Sequence, residues 1–212
     1  MDEALDGDDI LELWDYRRRT AEMYRAVRQG GAGADTWRRW RNDRDRLFAT
    51  HPQSAIEPEQ RPGFSGLSYF DHDPGWRFEV DVEPLAPSHV DLSHSGAGTT
   101  EFREFGRVGI YVGDQWSTLT LFWLGGYGGG VFLPFRDATS GDETYGGGRY
   151  LIDSAKGADL GHQERTVVLD FNYAYHPSCV HSSRWSCPLA PVSNRLPVAV
   201  RAGERLSPDR EA

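Results

Sequence analysis

"WRFEVDVE", from Trp76 to Glu83, decides the class of fold: Trp76, Phe78, Val80 and Val82 alternate with Arg77, Glu79, Asp81 and Glu83. A period of two puts the apolar side chains on one face and the charges on the other, as a half-buried strand requires. Working outward, Val108, Ile110 and Val112 repeat the alternation, and Gly113–Asp114 supplies a turn. "WSTLTLFWL" (116–124) is apolar on both faces towards its end, so it is expected to be central. "VFLPF" (131–135) pairs with it across "GGYGGG" (125–130), and "RYLI", "RTVVLDFN" and "LPVAV" complete a series of short strands. No helical pattern interrupts them. The reading is a mainly β fold, an antiparallel β-barrel or sandwich.

Helical periodicity occurs only before that series. Ile10, Leu13, Trp14, Ala21, Tyr24 and Val27 recur at helical spacing, with Asp8 and Asp9 at the positive end and Gly30–Gly31 as a stop. A second helix, capped by Asp35, buries Trp37, Trp40, Leu47 and Phe48 and ends at His51–Pro52. The division is therefore an N-terminal helical pair (1–50) packed on the rest, an extended surface connector (51–75), an antiparallel β domain (76–206) and a disordered tail (207–212). Together they form one globular unit.

The formal net charge of −9 disfavours an extended nucleic-acid face, which needs clustered Lys and Arg. Lys156 is the sole lysine; arginine carries every other fixed positive charge, a bias that fits a GC-rich genome or a salt-loving host. The acidic start "MDEALDGDDILELW" is unlike a secretory signal, and no run approaches the apolar length of a membrane span. These features point to a soluble cytoplasmic protein with no membrane partner, in which Cys179 and Cys187 are free thiols by default.

Four stretches carry a family resemblance: "LFATHPQSAIEPEQRPGFSGLSYFDHDPGWRF", "FLPFRDATSGDETYGGGRYL", "VVLDFNYAYHPSCV" and "CPLAPVSNRLPVAVRAGE". In this order and spacing, from about Arg44 to Glu204, the chain resembles the prokaryotic family catalogued as domain of unknown function 1684. The resemblance implies one globular unit and no established activity. Against the family pattern, His176–Pro177 stands where "NP" is expected and His181 where an aromatic is usual. Ala190 and Ser193 replace a more typical proline and glutamate.

Several constellations compete for a functional role. His176, Cys179, His181 and Cys187 fall within twelve residues and are weak metal candidates, because their spacing lacks the C-x2-C signature. Cys179 beside either histidine could form a thiolate–imidazole nucleophile, although a buried cysteine is more often a small hydrophobe. "GGYGGG" has no following Lys–Ser/Thr and opens onto a strand, which removes a phosphate-binding loop; no cofactor is predicted. "RWRNDRDRLF" interleaves its arginines with Asp43 and Asp45, the pattern of a solvated helix face and not of an RNA-binding one.

The densest polar run is "FRDATSGDETYGGGRYL" (135–151). Gly146, Gly147 and Gly148 could form an anion-binding nest, and Arg149 could hold a carboxylate or phosphate. The alternative is that Asp137 and Thr139 bond the loop's own backbone and Arg149 pairs with an acid inside the fold. Strand alternation would set Asp170 and Asn172 on one face, where they could converge with Asp137, Tyr145 and Arg149. The leading expectation is a small-molecule protein binding an organic anion through Asp137, Thr139, Tyr145, Gly146–Arg149, Asp170 and Asn172. One alternative is an enzyme with Asp137 or Asp170 as general acid or base in the same pocket. The other is a protein-interaction module with no pocket and an exposed apolar stripe on its helices.

Overall fold

A computed structural model describes residues 6–207; apart from Ser207, the expected tail lies outside the described residues. Helices α1 (Gly7–Gly30) and α2 (Ala34–Thr50) precede eight strands. These are β1 (Arg77–Asp81), β2 (Glu83–Ser93), β3 (Thr99–Val112), β4 (Gln115–Leu124), β5 (Gly130–Phe135), β6 (Arg149–Asp153), β7 (His162–Gln163) and β8 (Thr166–Asp170). β2 to β6 form a five-stranded sheet in chain order, and β1, β8 and β7 form a three-stranded one. All pairings within them are antiparallel. The fold is thus mixed α/β, a helical pair with two antiparallel sheets. Neither sheet closes into a barrel, because the edge strands β2 and β6 do not pair with each other.

The alternating stretch behaves as its charges demand. Phe78 and Val80 face inward from β1 and pack against Val108, Ile110, Leu119, Leu121, Leu133 and Phe135 of the five-stranded sheet. One core therefore lies between the two sheets. Val112 and Gln115 pair across the two-residue turn Gly113–Asp114, with Gly113 at φ 59°, where glycine carries no steric penalty. β4 is the middle strand of its sheet, as its two-faced apolarity requires. β2 carries Pro84 and Pro87, which an edge strand tolerates because its outer N–H side has no partner.

"LPVAV" is not a strand. Pro197 has no N–H to give a ladder, and the run instead bonds the β5 exit: Leu196 N–H to Arg136 O (2.8 Å) and Ala138 N–H to Val198 O (3.0 Å). The connector also differs from expectation. It forms a short 3-10 turn at Pro58–Gly63, and Ala55, Ile56, Leu67 and Phe70 are buried rather than laid over the surface. Tyr24, Val27, Trp37 and Trp40 pack with Ala158 and Tyr173, fixing the helical pair to the loops beyond β6 and β8. Only the second half of α1 does this. Ile10 and Trp14 remain 55% and 67% exposed, since the first turns reach past the surface they were expected to cover. The cap of α2 is Gly33 and not Asp35, which sits in the first turn, where its charge still favours the helix. Among the described residues no helix is long and apolar enough to cross a membrane.

The glycines at 31 and 203 separate two costs. Both have positive φ, 75° and 80°, but a Cβ at Gly31 meets nothing within 4 Å, whereas one at Gly203 would lie 2.6 Å from the carbonyl oxygens of Phe171 and Ala174. Gly31→Ala should cost about 1–3 kcal/mol, the strain of that backbone conformation alone. Gly203→Ala should cost about 3 kcal/mol or more, adding overpacking to strain. Urea denaturation of the two variants checks the difference.

Candidate functional site

The 135–151 stretch folds in on itself. Asp137 Oδ1 accepts bonds from the Thr139 N–H (2.7 Å), the Thr139 hydroxyl (2.6 Å) and the Val200 N–H (3.2 Å). Its other oxygen pairs with Arg149 Nη2 at 2.9 Å, both side chains being almost wholly excluded from solvent. Arg149 donates further to the carbonyls of Val200, Ala202 and Glu204. Burial pulls the basicity of this guanidinium down, and Asp137 opposes the shift. These bonds spend the Nη donors that were expected to meet an anion, while the buried Nε has no partner among the described residues. The glycines follow the same logic. A Cβ at Gly147 would strike Tyr145 and Leu189, and one at Gly148, which has φ 98°, would strike Phe135 O at 2.6 Å. Their bare backbone admits protein neighbours. Gly146 has only ordinary contact with Gly141.

Asp170 and Asn172 do not join this cluster by any hydrogen bond. β8 ends at Asp170, which caps a 3-10 turn, Phe171–Tyr173, so strand alternation stops before Asn172. Asp170 Oδ1 accepts from the Asn172 N–H and side-chain amide (3.0 and 2.8 Å). Asn172 in turn bonds both backbone groups of Asp73, and its carbonyl receives the Trp37 indole N–H at 2.9 Å. The pair ties connector, helix and sheet together. Burial raises the Asp170 carboxyl pKa, against the bonds from Asn172.

The four metal candidates separate into two pairs, and among the described residues no group of three or more His, Cys, Asp or Glu is placed to hold a metal ion. His176 and His181 flank Glu204, with ring nitrogens 3.5 and 3.2 Å from its Oε1. His176 Nε2 accepts the Tyr145 N–H (3.2 Å), so its ring proton sits on Nδ1, facing the carboxylate. Arg44 completes the network at 2.8 Å from Oε2. Burial would raise the Glu204 pKa, but Arg44 and the two imidazoles hold it well below the usual carboxylate range. Burial lowers the His176 pKa, against the pull of Glu204. Sequence reading did not single out Glu204 or Arg44; the available signal was that "RAGE" closes the last shared motif.

Cys179 has no imidazole partner. Its thiol instead meets those of Cys187 and the hydroxyls of Ser95 and Tyr145. The Cys187 bond, with Ser95 and Tyr145, brings the Cys179 pKa down to about 6, while the same contact and burial push Cys187 up.

Open space lies elsewhere. A cleft of about 560 Å³ opens between the two sheets, walled by Val82, Phe105, Leu121, Val131, Ile152 and Val167. Leu121 and Ile152 belong to the main core and the other four pack against it, so the cleft is the core's own open side. His162, Glu164 and Arg165 stand at its mouth. Among the described residues, Glu164 is the one non-glycine residue with positive φ (51°), a conformation that stores strain in the β7–β8 turn. Asp159, also at the rim, has its charge engaged by Arg28 at 3.4 Å. His162 and Arg165 make no ion pair among the described residues.

Comparison with known proteins gives a family and a fold relative. The family model described as "Protein of unknown function (DUF1684)" matches residues 62–205. The solution NMR structure of the uncharacterized protein from gene locus rrnAC0354 of Haloarcula marismortui shares 38% identity and a TM-score of 0.60. That similarity covers 83% of this chain and 95% of the other. No curated protein matches the chain.

Two expected outcomes follow from the geometry. Asp137→Asn leaves a buried guanidinium without its counter-charge and should destabilise the fold by about 3–5 kcal/mol in chemical denaturation. Because the lowered thiol pKa makes thiolate at unusually low pH, alkylation of Cys179 by iodoacetamide should have its rate midpoint near pH 6 and level off above neutrality. An ordinary thiol would keep accelerating to about pH 9.

Proposed function

The chain belongs to the DUF1684 family, and we propose that it is a small-molecule binding protein whose ligand is an amphipathic organic acid held between the two sheets. The observation that supports this is the inter-sheet cleft of about 560 Å³, an apolar wall with a few polar groups gathered at the mouth. Ligand sites typically have about this volume and composition. The apolar body lies along Phe105, Leu121, Val131 and Val167, and the acid group meets Arg165 and His162. Binding is favoured over catalysis at Arg149 because that side chain is fully buried and its partners are protein groups. The anion-binding role expected of residues 135–151 moves with this reading to the cleft.

A second reading draws on the first turns of α1, which expose Ile10, Leu11 and Trp14. Such a stripe suits a protein partner.

Titration with cis-parinaric acid, a fluorescent fatty acid, distinguishes the two. The cleft reading expects saturable one-site binding. Val167→Trp, which fills the space, should abolish it, and Arg165→Ala should weaken it about tenfold, the loss of one charge-assisted bond. Binding that ignores both changes contradicts it. If no variant binds the probe, and Trp14→Ser alters the association state in sedimentation, the docking reading replaces it.

A further inference from the structure

The hairpin "GGYGGG" joins β4 to β5, and its glycines are not all required by packing. Gly129 and Gly130 are: a Cβ there would meet the Trp123 ring at 2.3 Å and Ala155 at 2.7 Å. Gly126 and Gly128 have positive φ, 86° and 92°. Gly125 has neither reason, with ordinary φ and nothing within 4 Å of a Cβ. Its bare backbone leaves the entrance beside the hairpin open.

Beneath the hairpin lies a second cleft, of about 490 Å³. Its wall belongs to an apolar cluster separate from the main core, including Phe102, Phe132 and Tyr150. Phe102 and Phe132 are stacked with centroids 5.1 Å apart and planes at 19°, and Tyr150 meets Phe132 edge-on. Its rim is cationic. Arg17 reaches it from α1 and makes no ion pair among the described residues, and Lys156, the sole lysine, pairs with Asp153 at 3.0 Å. Two positive charges and one negative line this cleft in a chain whose net charge is −9. Surface repulsion would scatter such cations; here they stand over an aromatic wall.

We propose that this second cleft binds a planar aromatic anion, its ring against the edges of Phe102 and Phe132 that reach the cleft and against Tyr127, its negative group between Arg17 and Lys156, and its rim beneath the backbone of Gly125 and Gly128. Flat rings pair with aromatic walls in stacked or edge-on contact. An anion at the rim gains charge-assisted bonds from an arginine and a lysine that a neutral analogue cannot make. The site shares only Val131 and Ser154 with the inter-sheet cleft, and the ligands differ in shape: that cleft takes a flexible apolar body ending in an acid, and this one a flat charged ring.

The test is calorimetric titration of the full chain with 2-naphthoate and with its neutral analogue, 2-naphthamide. The proposal expects 2-naphthoate to bind and the amide to bind at least tenfold more weakly. Arg17→Ala and Lys156→Ala, both exposed positions, should each lower 2-naphthoate affinity about tenfold, and Gly125→Val should lower it while the fold stays intact by circular dichroism. Val167→Trp, which closes the inter-sheet cleft, should leave it unchanged. Equal binding of acid and amide overturns the proposal, as does indifference to both charge removals. Loss of binding in Val167→Trp overturns it by placing the probe in the other cleft, and no heat at millimolar 2-naphthoate overturns it outright.

Discussion

The buried Arg149–Asp137 pair is the constraint on which the rest of the structure depends. Arg149 lies on β6, the edge of the five-stranded sheet, and Asp137 lies just beyond β5. Between them they hold the C-terminal run: Asp137 takes the Val200 N–H, and Arg149 takes the carbonyls of Val200, Ala202 and Glu204. Charges this deep are expensive to desolvate, and only a nearly complete set of partners makes the arrangement tolerable. The C-terminal segment supplies those partners, so it cannot leave without stranding the guanidinium.

A second buried ion pair extends the first. Glu204 closes the same run and meets Arg44 of α2 at 2.8 Å, with His176 and His181 on its other oxygen. The C-terminal segment thus connects the β5–β6 loop, the turn after β8 and the helical pair. Such networks favour one packing over near alternatives, because any slip leaves a charge unpaired. Polar residues that look like a site in the sequence are here the groups that fix the chain's path. The two clefts lie apart from them, one on the open side of the core and one beneath the glycine hairpin.

What the sequence disclosed was local. Alternation in Trp76–Glu83 located β1, although the strand covers only Arg77–Asp81, with Trp76 in a 3-10 turn and Glu83 opening β2; the two-residue turn at Gly113–Asp114 marked a hairpin, and two-faced apolarity marked β4 as central. Where spacing alone was used, tertiary context overrode it. Ile10 and Trp14 have helical spacing yet lie on turns that reach beyond the core. "LPVAV" has strand composition, but Pro197 and the demands of Asp137 and Arg136 recruit it to another role. The Arg44–Glu204 contact spans 160 residues of chain and leaves no pattern in the sequence. The clefts were illegible for the same reason, their walls being drawn from strands distant along the chain. The polar richness of 135–151 was legible, but the sign of its meaning was not: residues suited to hold a ligand are equally suited to hold the chain.

Native-state hydrogen exchange at the Val200 amide tests this account most directly. That N–H is bonded to Asp137 Oδ1, inside the network that Arg149 closes. If the clasp holds the C-terminal run as described, the Val200 amide exchanges only through global unfolding, with the same free energy as core amides such as Leu121 and Leu133. Exchange through a local opening at much lower free energy would contradict it, and would show the segment to be a loose strap rather than the closure of the fold.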